Sequence, residues 1–263
     1  MVLGFVAKAQ QGHRVFLFNE GEEYQTDILT NSKAVVQRGK QELKINTVST
    51  VSKAFKVALA NDRGYTFNVK IKAMDNVIDA MGKQLHHSSA IKSDSSSSIL
   101  RALDFMLNKP IDVVTDRYGI IQTYTDYKAE MATDTLVAFA GIQPEAFEKG
   151  TLIGLVADIT YNKGLKKGYS WTDSVEIDKQ KLKTVFTIED INEKNTVIKF
   201  SSSIVGAMVN SNTNGTYVID NESGIVLEKL LYILSNGYQV SAGGVVYAVS
   251  RATSVSQKTR RIK

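Results

Sequence analysis

The chain has 263 residues, of which 43% are apolar and 22% are charged. This composition is typical of a globular protein that buries a core without disulfides or metal ions. The chain contains no cysteine, which excludes zinc-finger, iron–sulfur, thiol-redox and cysteine-nucleophile chemistry. No segment approaches the roughly 18 consecutive apolar residues that a membrane-spanning helix needs.

The formal net charge of +5 is concentrated at the carboxyl end, in the sequence SQKTRRIK. Lys258, Arg260, Arg261 and Lys263 carry most of the excess, and residues 10–257 are formally neutral. A neutral body is a poor surface for phosphates, so we expect no nucleic-acid partner. Residues 258–263 are predicted to form a frayed, solubilising basic tail.

The first ten residues, MVLGFVAKAQ, predict export. A short apolar stretch precedes Ala7-Lys8-Ala9, which has the small-x-small form of a signal-peptidase site. Residues 1–9 are therefore interpreted as a signal-peptide remnant, with Gln10 as the new first residue. The expected location is periplasmic or extracellular, and the missing cysteine excludes a lipid-modified amino-terminal anchor.

Alternation with a period of two predicts strands. In the run Tyr65–Lys72, apolar residues alternate with Thr, Asn and Lys, and a similar run precedes the turn at 61–64. Residues 53–73 are therefore predicted to form a hairpin with one face buried in a core. The residues predicted to face that core are Phe55, Val57, Phe67, Val69 and Ile71.

Further turn signals predict long antiparallel meanders, because each supplies residues that tolerate positive φ. These signals are Asp116–Gly119, Asn192–Asn195, Asp220–Gly224, Asn236-Gly237 and Gly243-Gly244.

Helical spacing appears in the middle of the chain. The serines at 95–98 precede the apolar run Ile99–Leu107, a second helical region is predicted at 127–140, and a third begins at Pro144 and continues to Val156. A single β-rich domain, 10–257, thus has halves at 13–92 and 165–255 that flank a helical insert at 94–160. The predicted fold is α+β, with a curved antiparallel sheet or half-barrel over two or three central helices.

The two halves begin alike, which leaves an internal duplication open. Gly21-x-x-Tyr24 opens the first half and Gly168-x-x-Trp171 opens the second, and an Ala-Met pair follows each meander. The alternative is that two unrelated meanders share turn glycines.

These motifs, with Asp94-Ser95 before a helix and the hairpin Asp116–Gly119, resemble an uncharacterised family of exported Bacteroidetes proteins, the domain of unknown function 6263. The likeness covers nearly the whole chain. Tyr169 stands where that family tends to have Asp, and the lipid-modifiable Cys of many exported relatives is missing. The resemblance implies an exported β-rich protein and supplies no activity.

Candidate catalytic and metal-binding groups are few. His86 and His87 are adjacent, so a strand would place them on opposite faces, and we expect surface histidines rather than a metal site. Ser170, in Gly168-Tyr-Ser-Trp-Thr172, lacks the second glycine of a nucleophile elbow, and the serines at 95–98 suit helix capping. No phosphate-binding loop occurs. We therefore expect no catalytic residue, no metal ligand and no cofactor.

Neighbouring carboxylates and lone aromatics complete the candidates. Glu22-Glu23 and Glu189-Asp190 would point to opposite strand faces, the wrong arrangement for a paired acid and base. Trp171 and Tyr169 either line a ligand pocket or anchor a core. Asn214-Gly-Thr216 matches the glycosylation pattern, but a type I′ turn at Asn214-Gly215 explains it more simply.

The sequence favours a non-enzymatic, exported binding or carrier protein for an apolar ligand in the cell envelope. A structural or protein-interaction component of the envelope is the alternative, and a hydrolase with dispersed carboxylates comes third. The partner is expected to be a hydrophobic small molecule or an envelope protein. An enclosed apolar cavity would favour the carrier over the interaction role. The sequence does not identify a ligand-binding residue.

Overall fold

The computed structural model describes residues 15–91, 104, 107, 109–125, 147–157, 166–177, 180–205, 209–240 and 244–263. The regular elements with bounds in these ranges are twelve β-strands, numbered here in chain order. They are β1 Glu23–Arg38, β2 Gln41–Asn61, β3 Gly64–Ala80, β4 Lys83–Ser88, β5 Ile111–Asp116, β6 Ile121–Tyr124, β7 Ser170–Ile177, β8 Gln180–Ile191, β9 Asn195–Val205, β10 Val209–Asp220, β11 Val226–Val240 and β12 Val246–Arg261.

All twelve strands belong to one sheet, in the order β6-β5-β3-β2-β1-β12-β11-β10-β9-β8-β7, with β4 also paired to β3. The neighbours pair antiparallel, so the predicted antiparallel meanders are confirmed. The first and last strands, β1 and β12, lie side by side in the middle. The two predicted halves are therefore joined as one continuous sheet.

The prediction of an α+β fold with central helices is wrong. The predicted third helix is, over Phe147–Ala157, an irregular segment with turns and isolated bridges. Its backbone groups bond to the sheet instead: Ile153 N–H donates to the carbonyl of Gly119 (2.9 Å), and Val226 N–H donates to that of Leu155 (2.9 Å). Apolar spacing alone does not separate a helix from a coil whose side chains pack on a sheet.

Other parts of the predicted helical insert fall into two classes. Residues 127–140 and most of 94–108 lie outside the described residues. The part from Ile111 to Tyr124 forms β5 and β6, which extend the sheet beyond β3.

Most predicted turns occur where the sequence placed them. The hairpin within 53–73 turns between Asn61 and Gly64, and the turns after Asp116, Ile191 and Asp220 each join two strands. Two Asn-Gly pairs do not form turns, because Asn214-Gly215 lies inside β10 and Asn236-Gly237 inside β11, each paired on both sides.

The predicted basic tail is not frayed over most of its length. Residues 258–261 belong to β12 and pair with β1. Pairing on both sides at Lys258, with β1 and β11, fixes the backbone there.

Side chains alternate between two faces of the sheet, which we call the inner and the outer face. The inner face carries the buried residues Phe55, Val57, Phe67 and Val69 and the partly buried Ile71, so the predicted inward positions are confirmed. On β11 the alternation is strict, with half-buried residues facing in and exposed residues facing out. On β11, the inner face is thus less exposed to solvent than the outer face.

Three apolar clusters lie on the inner face. The largest joins β2, β3 and β5 to Phe16, Phe18 and the 147–157 segment. A second gathers around Ile45, Met74 and Ile78 at the other end of β1 to β3. A third contains Ile198, Ile219 and Val226. The middle of the inner face, between these clusters, is only partly filled by apolar side chains.

The 147–157 segment crosses the inner face and shows that the sheet is curved. Leu152 pairs with Ile120 beside β6, and Val156 pairs with Ile225 beside β11. Along the sheet, six interstrand spacings of about 4.8 Å separate these strands, about 29 Å. The direct route spans at most about 21 Å, because residues 153–156 form a turn and each bridge adds about 5 Å. The inner face is therefore concave.

Candidate functional site

A single row of inner-face residues crosses ten strands in register, and we call it the central row. From β4 to β7 it runs His87, Asn76, Ser49, Thr30, Val255, Leu231, Gly215, Phe200, Phe186 and Trp171. The row is polar from His87 to Thr30 and apolar from Val255 to Trp171. The concave face therefore has a polar end and an aromatic end.

At the aromatic end, rings pack against one another from strand to strand. The centroid distances are 5.1 Å for Trp171–Phe186, 5.9 Å for Phe186–Phe200 and 4.8 Å for Phe200–Tyr217. Tyr169 extends the stack beyond Trp171, at 5.9 Å. We call these five rings the aromatic row. Cross-strand aromatic pairs stabilise a sheet, and the rings, which range from the buried Phe200 to the exposed Tyr169, also form a broad apolar wall on the inner face.

Gly215 accommodates this stack. A Cβ at Gly215 would lie 2.5 Å from the Phe200 ring and 2.8 Å from the carbonyl of Leu230, so the ring covers the glycine directly. Burial raises the pKa of Tyr217 to about 12, and Lys229 Nζ lies 5.8 Å from the Tyr217 ring centroid. The Tyr217 hydroxyl therefore stays protonated at neutral pH.

Buried polar side chains occupy the opposite end of the face. Asn76 is 1% exposed, His87 2% and Thr47 3%. His87 Nε2 lies 2.9 Å from an Asp104 oxygen, which sets the ring orientation. Among the described residues, both polar atoms of Asn76, Nδ1 of His87 and the hydroxyl of Thr47 lack a hydrogen-bond partner. Such groups are costly to bury, so this polar cluster is an unusual feature of the inner face.

The two adjacent histidines lie on opposite faces. His86 is exposed and its Nε2 lies 3.1 Å from Asp75, and this hydrogen bond lowers the pKa of Asp75. The expectation of surface histidines is wrong for His87, because its neighbour across the strand pair, Asn76, faces the interior. Within the described ranges, no three His, Asp or Glu side chains are arranged to hold a metal ion.

The other sequence candidates are dispersed. Ser170 is exposed and its hydroxyl lies 2.8 Å from that of Thr187. Glu189 pairs with Lys199, and Asp190 lies 3.7 Å from Lys167. The serines at 95–98 lie outside the described residues. The structure brings none of these described side chains next to the central row.

A buried carboxylate, Glu22, links the segment before β1 to the end of β12. Glu22 accepts hydrogen bonds from Tyr24 Oη (2.6 Å) and Asn19 Nδ2 (2.7 Å), and it pairs with Arg261 (3.1 Å). Burial opposes ionisation, but the hydrogen bonds from Asn19 and Tyr24 and the Arg261 charge outweigh it, so the pKa of Glu22 is lowered. Burial and the Glu22 bond raise the pKa of Tyr24. Neither group is poised to exchange protons near pH 7.

Glu22→Gln is expected to lower the free energy of unfolding by about 2 kcal/mol at pH 7, because charged hydrogen bonds are replaced by neutral ones. A lowered folded-state pKa adds stability above the ordinary value near 4.5, and this stability is lost as the pH falls through the folded value. The difference between wild type and variant should therefore shrink in urea titrations at pH 3. The matched control Glu228→Gln, in an exposed pair with Lys258, should change stability by less than about 0.5 kcal/mol at both pH values.

Two grooves on the described surface lie on the outer face. One, of about 350 Å³, is lined by Val185, Asn214 and Tyr232 among others. The other, of about 500 Å³, contains the pairs Lys258–Glu228 (3.6 Å) and Arg260–Asp27 (3.7 Å). Both are open to solvent. Neither is the enclosed apolar cavity that would distinguish a carrier from an interaction protein.

The described architecture is all-β: one large, curved, antiparallel sheet with a sheltered inner face. Lipovitellin has a similar fold, with a TM-score of 0.54, 10% sequence identity and a match over 93% of this chain. The chain spans about a quarter of the lipovitellin chain, 25%. An outer membrane channel from Pseudomonas putida F1 matches 95% of this chain and 99% of its own, at 6% identity and a TM-score of 0.30, too low to indicate a common fold.

No family model matches the chain, and no curated protein matches it. In the described ranges, no helix has the length and hydropathy required to cross a membrane. The similarity to lipovitellin therefore concerns the fold.

Proposed function

We propose that the protein is a non-enzymatic, exported binding or carrier protein that holds an apolar ligand of the lipid class on its inner face. The observation that carries this proposal is the concave face with the central row across it. Leu231, Ile233 and Val255 are only half-buried there, between clusters that are filled. Apolar side chains left in that state gain free energy when a hydrocarbon covers them, about 25 cal/mol per Å².

The aromatic row adds a second reason. Its rings form a continuous wall from β7 to β10, and the indole N–H of Trp171 is buried without a hydrogen-bond partner in the described structure. Flat aromatic surfaces and acyl chains pack without directional requirements, so such a wall accepts ligands of varied length.

The fold comparison and the sequence support the class of ligand and the location. A fold like this one occurs in lipovitellin, a protein studied for its lipid–protein interactions. The Ala7-Lys8-Ala9 pattern and the resemblance to exported Bacteroidetes proteins support export to the cell envelope.

The single tryptophan of the chain allows a direct test. Methyl dibromostearate, whose bromine atoms quench indole fluorescence on contact, is expected to quench Trp171 saturably. In a Trp171→Phe background, Leu231→Trp reports on the inner face and Tyr232→Trp on the outer face, because neighbouring residues of β11 point to opposite sides. We expect saturable quenching in the first variant only.

Two results would contradict the proposal. Neither Trp171 nor the inner-face reporter would be quenched if no acyl chain binds there. Equal quenching of the two β11 reporters would mean non-specific adsorption. Unbrominated methyl stearate at the same concentrations controls for changes in fluorescence caused by binding alone.

The second candidate is a structural or protein-interaction component of the envelope, which one observation favours. The outer face of β11 carries an apolar stripe formed by Leu230, Tyr232, Leu234, Tyr238 and Val240, of which Leu234 is 59% exposed. Exposed apolar surface of this kind often marks contacts between proteins. If the outer stripe is a protein-interaction surface, the double variant Tyr232→Ser/Leu234→Ser would abolish association with the partner protein. The same variant would leave the quenching of Trp171 unchanged.

A further inference from the structure

From the polar cluster on β2 to β4 we infer that the bound lipid carries an uncharged head with hydroxyl groups, of the monoacylglycerol class. This inference rests on the proposed function and specifies its ligand. The cluster consists of Thr47, Ser49, Asn76 and His87, all buried and all on the inner face.

Register brings these side chains together. Asn76 pairs directly with Ser49 on one side and with His87 on the other, and Thr47 lies one inner-face position from Ser49. Directly paired residues in neighbouring strands have Cβ atoms about 4.5–5.5 Å apart. A small polar group that enters between these side chains would therefore reach Asn76 and a neighbour at the same time.

The chemistry of the unpartnered atoms defines the head. Asn76 offers an unpartnered donor, Nδ2, and an unpartnered acceptor, Oδ1. His87 holds Asp104 through Nε2, so in the neutral ring Nε2–H donates to the carboxylate and Nδ1 accepts. An ester carbonyl satisfies only the donor, whereas a hydroxyl satisfies donor and acceptor alike.

Charge argues against an ionic head. Thr47, Ser49 and Asn76 are neutral, and Asp104, which lies against His87, is an anion. The inner-face cations lie elsewhere: Lys53 is two inner-face positions from Ser49 along β2, and Arg251 is on β12, three strands from Asn76. A carboxylate or phosphate buried there would lose its hydration and face a like charge. A hydroxylated neutral head has neither cost.

The central row gives the acyl chain its path. From Asn76 the row continues over Ser49 and Thr30 to Val255 and Leu231, four interstrand spacings or about 19 Å. This distance is close to the length of an extended acyl chain of about eighteen carbons. The head then lies at the polar end and the hydrocarbon over the apolar half of the face.

Three oleoyl lipids that differ only in the head test the inference: monooleoylglycerol, methyl oleate and oleate, each displacing methyl dibromostearate from the wild-type protein. Monooleoylglycerol is expected to bind at least about tenfold more tightly than the other two, the equivalent of one net hydrogen bond. Asn76→Leu should remove that preference, because monooleoylglycerol loses bonds to both polar atoms of Asn76 and methyl oleate loses at most the one to its ester carbonyl. The control Asn31→Leu, an exposed position on the outer face, should change nothing.

The outcomes separate the two proposals. Equal affinities of the wild type for the three lipids, or tightest binding of oleate, would overturn this inference while leaving lipid binding in place. Failure of methyl dibromostearate to bind at all would overturn the proposed function. If Asn76→Leu does not fold, Thr47→Val replaces it as the test, because it removes one hydroxyl at nearly constant volume. Thr47→Val must then weaken the binding of monooleoylglycerol more than that of methyl oleate; otherwise the inference is wrong.

Discussion

Gly64→Ala is expected to lower the free energy of unfolding by about 4 kcal/mol or more. Gly64 begins β3 with φ +147°, a conformation that residues with a Cβ rarely adopt. An added Cβ would lie 2.0 Å from the carbonyl oxygen of Thr115 and 2.7 Å from Asp116 Cα. Both are backbone atoms of β5, so relief requires β5 to separate from β3, where Gly64 pairs with Asp116.

Gly82→Ala is the matched control for this effect. Gly82 also has positive φ, +72°, but nothing lies within 4 Å of its Cβ position. The backbone penalty alone is about 1–2 kcal/mol. Urea unfolding monitored by circular dichroism should therefore separate the two variants by at least about 2 kcal/mol. Equal losses in the free energy of unfolding for the two variants would mean that β5 separates from β3 at little cost and contributes little to the stability of the sheet.

Phe67→Ala is expected to cost about 3–5 kcal/mol, the range for removing a fully buried aromatic ring. Phe67 is 0% exposed and packs edge-to-face on Phe18 at 5.1 Å. Tyr65, on the same face, also contacts Phe18 at 5.1 Å. The cavity left by Phe67 would therefore loosen the contact between the sheet and the amino-terminal segment.

Thermal unfolding with Leu234→Ala as a control checks this result. Leu234 lies on the exposed outer stripe, so its truncation should change stability by no more than about 0.5 kcal/mol. A similarly small effect of Phe67→Ala would mean that the largest cluster is not the main source of stability.

The lipid-binding proposal and the stability predictions draw on different parts of the inner face. The clusters around Phe67 and Ile78 are filled and serve the fold. The proposed binding surface consists of the half-buried residues between them, the aromatic row and the buried polar cluster, whose Asn76 lies between Met74 and Ile78 on β3. Variants such as Asn76→Leu are therefore expected to separate binding from stability, since removing unpartnered polar atoms from a buried site is close to neutral for folding.

Local patterns in the sequence were sufficient for the hairpin of β2 and β3. The alternation in Tyr65–Lys72 and the Asn61–Gly64 turn involve neighbours in the chain, and period-two alternation places every second side chain on one face. The inward set from Phe55 to Val69 followed from the same rule. Most turns, such as Asp220–Gly224, could also be predicted, because the residues that form a turn are neighbours in the chain.

Strand pairing in the tertiary structure overrode the local sequence patterns at three predicted elements. Asn214-Gly215 and Asn236-Gly237 have turn chemistry, yet both lie inside long strands that are paired on both sides, and the summed pairing exceeds a local preference. The predicted third helix, opening at Pro144, is a crossing segment over Phe147–Ala157, because its apolar side chains bury against β-strands from both halves.

The candidate site could not be predicted from the sequence. Its aromatic row joins Trp171, Phe186 and Phe200, and its polar cluster joins Thr47, Asn76 and His87, residues from separate strands. Which residues meet across strands depends on register, and a shift of one residue sends a side chain to the other face. The sequence by itself determined that strands alternate and where most of them turn. Only the tertiary structure, through its bulges, strand lengths and the curvature that the crossing segment spans, decided which side chains face one another across the concave surface.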